Sequence, residues 1–490
     1  MPSGCQHCVL KHFKKSKLYM MESTVHPFTR LLYILRAEKS EISSIYVYAG
    51  LIGLIQLSLP LGVQSIISFV LAGKLSSSLV VLISFLVVAV LIAGVMQLKQ
   101  LKIIERIQQK IFVNNSYAFA DRIPRLDPIK VDAYYLPELV NRFFDTITLQ
   151  KGIAKLLLDL PISIIQIVLG LIILSFYHPF FIAFAIFLLL LLWLILYGTA
   201  RHGLNTSLEE SVAKYRLVAW FEEVARMMTA FKFSNAHRLH MKEADRKTLS
   251  YLHFRTRHFS VLLMQFRSLI AFRVVITAAI LIVGVVLLLN QQINIGQFVA
   301  TEIIILMLLN SIEKIIINLD SIYDVMTATE KIAKLTDKPT EIYGSYRSLP
   351  AGPFSVEARN LAFSYVSGRQ AVSDTNFNIR PGQVIVLSGA GGGGKSTLLR
   401  LLSGMYPEHT GALLINGVPI CNYDLDLLRN RIGAMFVNDN IFHGSLWENL
   451  TMGRGEIDAP YLTWLCDQTG LKNYSSNLSA GFDTILDPHL

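Results

Sequence analysis

The sequence predicts a multi-domain chain, in which an α-helical domain of six membrane spans is followed by an α/β domain built around a glycine-rich loop. Of the 490 residues, 52% are hydrophobic, which is too apolar for an ordinary soluble protein of this length. Six long apolar runs lie before residue 330. A short apolar run at 384–387 then leads directly into the glycine-rich stretch 389–394. These observations predict the fold class.

The membrane spans are predicted from length and composition. About twenty apolar residues in a helix cross a hydrocarbon layer of about 30 Å, and each run is long enough to do so. The six predicted spans are 42–72, 79–96, 153–177, 180–197, 269–289 and 298–319.

Basic residues are distributed unevenly among the connecting segments. They are abundant before the first span and in the two long segments that follow the second and fourth spans, whereas the short loops near 73–78, 177–180 and 290–296 contain only Lys74. The positive-inside rule therefore places both termini and both long segments in the cytoplasm. This asymmetry explains the formal net charge of +10 and indicates membrane lipid, not nucleic acid, as the surrounding partner.

Both long cytoplasmic segments are predicted to be helical, because apolar residues recur in them at helical spacing. They form either two small helical subdomains or long hairpins that extend the spans toward a cytosolic partner. The residues that show the spacing are Leu98, Ile103, Ile104, Ile107 and Ile111 in the first segment, and Val212, Tyr215, Val218, Phe221 and Val224 in the second.

Several polar side chains occur inside the predicted spans, where facing lipid would be costly. One interpretation is a substrate path. Packing between helices, or a local ion pair between Glu313 and Lys314, explains any single residue equally well. The residues concerned are Gln56, Gln64, Gln166, Glu302, Glu313 and Lys314.

Composition changes after Thr329, where polar residues replace the apolar runs. We predict an N-terminal cytoplasmic segment at 1–40, a six-span domain at 41–330, a linker at 331–350 and a nucleotide-binding domain at 351–490. Short strands are predicted at 354–358, 361–365 and 375–379, and helices alternate with strands beyond them, which is typical of an α/β domain.

The glycine-rich loop fits the P-loop pattern G-x-x-x-x-G-K-[ST]. Glycines let backbone N–H groups surround a phosphate chain, and the helix that follows directs its positive end at the same phosphates. We expect a buried strand at 384–387, Lys395 on the β- and γ-phosphates, and Ser396 on Mg²⁺. A flexible glycine linker is the alternative. The predicted ATP-binding residues of the loop are Gly389, Ala390, Gly391, Gly392, Gly393, Gly394, Lys395, Ser396 and Thr397.

Further motifs make the chain resemble an ATP-binding cassette (ABC) exporter of the half-transporter kind. They include Phe-Ser-Tyr at 363–365, Arg-Pro-Gly-Gln at 380–383 and the stretches 411–417, 428–433 and 441–450, while 139–145 resembles the first coupling segment of these exporters. The resemblance implies that Tyr365 stacks on adenine. It also implies ATP and Mg²⁺ as cofactors, and ATP-driven export of a peptide, protein or hydrophobic substrate by a homodimer.

The most similar subgroup is predicted to be the haemolysin-type or bacteriocin-type secretion exporters, without their peptidase-like domain. That resemblance implies a bacterial inner membrane and a periplasmic adaptor protein as a further partner.

The sequence departs from the family pattern in two ways. Asn438 stands where the family has a glutamine that contacts Mg²⁺, so this residue keeps the amide but has a shorter reach. The signature motif, the Asp-Glu strand end and the switch histidine are not matched, because we interpret 478–481 and 485–487 as superficial imitations. We therefore expect a truncated nucleotide-binding domain, and a membrane subunit that binds nucleotide without hydrolysing it is the alternative function.

Overall fold

The computed structural model describes residues 27–71, 73, 77–131, 136–234, 237–349, 351–436, 441–454 and 457–487. The chain divides into two compact units, Met1–Glu341 and Ile342–Leu490. Among the described residues, the first unit is helical and the strands lie in the second.

Six helices of the first unit are long and apolar enough to cross a membrane, as the sequence predicts. The helices of this unit, in chain order, are α1 (Pro27–Ala37), α2 (Lys39–Leu71), α3 (Ser77–Arg122), α4 (Pro128–Val131), α5 (Leu136–Val140), α6 (Asp145–Tyr177), α7 (Phe180–Arg226), α8 (Met228–Phe233), α9 (His237–Leu289) and α10 (Ile295–Thr336). Short 3₁₀ turns at Ile123–Arg125 and Asn141–Phe144 connect some of them.

The long helices extend well beyond the apolar runs. α9 has 53 residues, which at about 1.5 Å per residue corresponds to about 80 Å, far more than the ~30 Å of a hydrocarbon layer. α3 and α7, with 46 and 47 residues, are similarly long. For the two long segments, the sequence allowed either small helical subdomains or long hairpins. In the structure they are largely continuous extensions of the spans.

α10 is the central helix of this unit. Half of its most apolar window (50%) is buried, compared with 11% for α3. Its residues 304–316 pack with α6, α7 and α9, and its residues 325–335 join a second core with α1, α2, α3 and α6. A capping box fixes its start, because Asn294 Oδ1 accepts from the Gln297 backbone N–H at 2.7 Å and Gln297 Oε1 accepts from the Asn294 N–H at 2.9 Å. Residues 331–336, predicted to be linker, are its last turn.

The second unit is built on a four-stranded antiparallel sheet with the order β2-β1-β3-β4. The strands are β1 (Val356–Ser364), β2 (Gln370–Ile379), β3 (Thr410–Ile415) and β4 (Val418–Pro419), and a separate pair joins β5 (Gly444–Ser445) to β6 (Ile485–Leu486). The helices are α11 (Lys395–Leu402), α12 (Leu425–Arg429), α13 (Leu446–Thr451), α14 (Ala459–Gln468) and α15 (Leu471–Ser476).

The strands predicted at 354–358 and 361–365 form a single strand, β1. β1 continues from 356 to 364 because its register shifts on both partners near Asn360, which adopts the left-handed conformation at φ 48°. Gly411 in β3 accommodates this irregularity, since a Cβ at that position would lie 2.2 Å from the carbonyl oxygen of Asn360. The bulge therefore explains why the apolar pattern breaks between 358 and 361.

The buried strand predicted at 384–387 is wrong for this structure. The segment forms no strand pairing with any described residue, and Val384 and Val386 are 92% and 84% exposed. The apolar pattern is typical of a strand, but burial requires a neighbouring strand, which the described sheet does not supply.

Candidate functional site: a phosphate-binding loop

The glycine-rich loop precedes α11, as the motif predicts. Three of its glycines, Gly389, Gly392 and Gly394, have φ values of 149°, 78° and 81°, a region that other residues rarely adopt. The backbone N–H of Gly393 donates to the Ala390 carbonyl at 3.1 Å and closes the loop. The sequence therefore folds here into the compact turn that a phosphate cradle requires.

Space around the loop explains why glycines occupy it. A Cβ at Gly394 would lie 2.1 Å from the carbonyl oxygen of Ala371, so a side chain there would displace β2 or the loop. By contrast, nothing lies within 4 Å of the Cβ positions of Gly389 and Gly391. The open side at these residues leaves room for a ligand to approach the backbone.

Lys395 lies over the loop. Its ammonium donates to the carbonyl oxygens of Gly389 at 2.9 Å and Ala390 at 2.8 Å. The positive charge is therefore held at the centre of the turn, where it would exchange these carbonyls for phosphate oxygens. Ser396, the next residue, is exposed at the first turn of α11.

Tyr365 is held beside the first turn of α11. Its hydroxyl is 2.9 Å from Thr397 Oγ1, and its ring packs edge-on against Phe363 with the centroids 5.1 Å apart. Tyr406 stacks on Phe363 at 5.2 Å, so three aromatic rings form one cluster. The structure therefore brings Tyr365 and the P-loop together, although they are far apart in sequence.

Arg369 belongs to the same site, and sequence reasoning missed it. A Cβ at Gly392 would lie 3.6 Å from Arg369 Nη2, so the guanidinium borders the loop. A tight turn positions it, in which the Tyr365 N–H donates to the Arg369 carbonyl at 3.0 Å and Gly368 adopts φ 80°. The signal in the sequence is Gly368 directly before a basic residue, close to the aromatic motif.

The described residues contain no cluster of three or more His, Cys, Asp or Glu side chains that could hold a metal ion. The exposed Ser396 hydroxyl is a side-chain oxygen at this loop that could offer a ligand to Mg²⁺, which is often held by few protein groups together with phosphate oxygens. Asn438, the second predicted Mg²⁺ contact, lies outside the described residues.

Comparisons with known proteins agree with the fold. Residues 372–485 match the family model described as ABC transporter. The whole chain is similar to a solved structure described as a bacterial Atm1-family ABC exporter with ATP bound, with a TM-score of 0.80, 16% sequence identity, and coverage of 92% of this chain and 80% of that chain. The chain has the fold of an ABC exporter. Its six apolar helices make it a multi-pass membrane protein.

Curated relatives of this ABC exporter fold match over shorter stretches. The mitochondrial iron-sulfur clusters transporter ATM1 of Candida glabrata is 33% identical over 135 residues, which are 28% of this chain and 19% of that protein. The ATP-dependent lipid A-core flippase of Burkholderia orbicola is 29% identical over 225 residues, which are 46% of this chain and 37% of the flippase. The matches thus span well under half of these relatives. The predicted likeness to haemolysin-type and bacteriocin-type exporters stays a prediction.

Proposed function

We propose that this chain binds ATP with Mg²⁺ at the P-loop and, as one half of a dimer, uses it to export a substrate across a bacterial inner membrane. The observation that carries the proposal is the loop itself, in which the Lys395 ammonium is held 2.8 and 2.9 Å from the turn carbonyls at the start of a helix. The same chain contributes six apolar helices.

Each residue of the loop has a part in this proposal. The backbone N–H groups of the glycine turn would surround the phosphates, and Lys395 would neutralise the β- and γ-phosphates. Ser396 would orient Mg²⁺, and Tyr365, fixed by Thr397 and Phe363, would offer its ring to adenine. Arg369 would add a second positive charge at the rim of the loop.

The span count supports the proposed dimer, and the distribution of basic residues supports the proposed orientation. Six spans and one P-loop make half of a two-fold pathway, and two-fold symmetric pairs are the commonest oligomers. The excess of Lys and Arg in the long segments supports cytoplasmic termini. The relatives are named for two unrelated substrates, iron-sulfur clusters and lipid A-core, so their names do not indicate one substrate class for this chain. A cavity among the membrane helices, described below, is the basis for proposing one. A periplasmic adaptor protein would be a further partner if the chain is a secretion exporter, as the resemblance implies.

A second candidate function is a subunit that binds ATP without hydrolysing it and pairs with a complete partner. Asn438 favours it, because its side chain is one methylene shorter than the family's glutamine and would reach Mg²⁺ and the attacking water less well.

ATP binding and phosphate release test both functions. The full chain in lipid nanodiscs should bind a fluorescent ATP analogue, and Lys395→Ala should weaken binding at least about tenfold, since a charge-assisted contact contributes about 1.5–3 kcal/mol. The matched control is Lys472→Ala, an exposed lysine of the same unit that pairs with Asp467 at 2.9 Å. Unchanged affinity in Lys395→Ala would overturn the site assignment. The second function would be favoured if the wild-type chain binds ATP without releasing phosphate and Asn438→Gln restores the phosphate release.

A further inference from the structure

A cavity of about 550 Å³ opens among the membrane helices α2, α6 and α10. Five of its seven lining residues are polar or charged, although the helices that form it are apolar. The lining residues that matter here are Gln56, Gln166, Asn310, Glu313 and Lys314, with Met307 beside them.

The cavity extends from the middle of the spans toward one of their ends. The ends of α2, α6 and α10 meet at one side, where the Tyr177 hydroxyl donates to Gln64 Oε1 at 2.5 Å and a Cβ at Gly296 would lie 3.0 Å from the Gln64 carbonyl oxygen. At about 1.5 Å per residue, Gln166 lies about 16 Å along α6 from this side and Lys314 about 28 Å along α10. In a hydrocarbon layer of about 30 Å, Gln166 would therefore lie near the middle and Lys314 near the opposite boundary.

Ionisable residues within membrane-spanning helices are rare and are functional-site candidates by default. Arg273 of α9 donates to Glu313 Oε2 at 3.1 Å and to Asn310 Oδ1 at 3.4 Å. Glu313 is therefore neutralised by Arg273, and not by its neighbour Lys314 as the sequence alone suggested. Of the two charged lining residues, Lys314 is thus the one without an ion-pair partner among the described residues.

Some of the remaining polar groups form hydrogen bonds between helices, and others have no hydrogen-bond partner among the described residues. Gln166 donates to Gln56, and its Oε1 accepts from the Ser311 hydroxyl at 2.7 Å, so these amides hold helices together. Lys314 is exposed, and among the described residues neither its ammonium nor the amide nitrogen of Asn310 has a hydrogen-bond partner. The cavity thus presents two free donors, the cationic ammonium of Lys314 and the amide nitrogen of Asn310.

We propose that this cavity is a substrate site for an anionic headgroup, a carboxylate or phosphate, that is held by Lys314 and Asn310 with Met307 against its apolar part. The proposal rests on the proposed export function and names its substrate class. A lipid phosphate and a soluble organic anion share the required chemistry.

Cysteine modification without nucleotide tests the cavity separately from ATP binding. In full-length protein with its four native cysteines replaced by serine, Met307→Cys should react with an anionic methanethiosulfonate faster than with a cationic one of similar size. Lys314→Gln should lower this rate ratio about tenfold, because one cavity charge concentrates counter-ions by that order. Lys314→Arg should restore the ratio.

Two controls accompany this measurement. Lys102→Gln removes an exposed lysine of α3 outside the cavity and should leave the ratio unchanged. Ile282→Cys, 65% exposed on the apolar part of α9, should react with neither reagent. A Met307→Cys protein that reacts with neither reagent, or a ratio that Lys314→Gln does not change, overturns the proposal, whatever the outcome for ATP.

Protection of Met307→Cys in phosphatidylcholine nanodiscs identifies the source of the anion. Dodecyl phosphate should slow the modification, and Lys314→Gln should raise its half-protecting concentration about tenfold. Protection by inorganic phosphate as well supports a soluble anion, whereas protection by dodecyl phosphate alone supports a lipid. Equal protection by dodecyltrimethylammonium, insensitive to Lys314→Gln, overturns the proposal.

Discussion

The guanidinium of Arg142 lies over the ring of Tyr215, with its central carbon 3.6 Å from the ring centroid. The Tyr215 hydroxyl donates to Asp145 Oδ2 at 2.5 Å, and the Lys331 ammonium lies 5.3 Å from the same ring. All four side chains are buried. Because they belong to the 3₁₀ turn Asn141–Phe144, α6, α7 and α10, the segment that resembles a coupling segment is fixed to two long helices.

We expect Tyr215→Phe to lower the stability of the helical unit. The substitution keeps the ring under Arg142 but removes the donor to Asp145, and a buried carboxylate without that donor costs about 1–3 kcal/mol. Tyr215→Leu should cost up to about 2 kcal/mol more, because the cation–π contact is lost as well. The measurement is the thermal unfolding of the full chain in lipid nanodiscs.

Tyr197→Phe is the matched control, because Tyr197 is 76% exposed and its ring stacking on Trp193 survives the substitution. Equal melting temperatures for Tyr215→Phe and Tyr197→Phe would contradict a stabilising role of the hydroxyl.

The glycines of the P-loop should differ in what their substitution does. Gly394→Ala should lower both stability and ATP affinity, because its Cβ would meet the Ala371 carbonyl at 2.1 Å and its φ is 81°. Gly391→Ala should weaken only ATP binding, since its Cβ position is open but lies where phosphates approach. Thermal unfolding and binding of a fluorescent ATP analogue measure the two effects.

Gly352→Ala is the neutral reference for this series, because nothing lies within 4 Å of its Cβ position. Wild-type ATP affinity in Gly394→Ala would show that the loop tolerates a side chain, and the proposed cradle would then be wrong.

Local signals in the sequence were sufficient for the six helices and for the loop. Apolar run length indicates the helices, and the two glycines that the G-x-x-x-x-G-K-[ST] pattern requires, Gly389 and Gly394, both have positive φ values. Both features depend on residues that are close in sequence, which is why they could be predicted.

Pairings between distant residues could not be predicted in the same way. Adjacent residues on a helix do not face each other, so Glu313 pairs with Arg273 of α9 instead of Lys314. The apolar segment 384–387 has strand character, but its burial depends on a partner that local pattern does not specify. Arg369 borders the loop only because the turn from Tyr365 brings it there.

His409, directly before β3, gives the nucleotide-binding unit a predicted pH dependence. Burial lowers the pKa of the His409 imidazole below its usual value, because the charged ring would lose hydration. The unfolded chain, in which the pKa is about 6.5, then binds more protons than the folded one. This difference contributes stability that is fully present above about pH 6.5 and is lost as the pH falls toward the lowered folded pKa.

We therefore expect the apparent melting temperature of the full chain to fall between pH 7.5 and pH 5.5, and His409→Gln to reduce this fall because it removes the titrating ring. The readout is thermal unfolding in lipid nanodiscs at matched ionic strength. His443→Gln, at an exposed histidine of the same unit, should leave the fall as large as in the wild type. If the melting temperatures of His409→Gln and His443→Gln fall equally between pH 7.5 and pH 5.5, a group other than His409 causes the pH dependence.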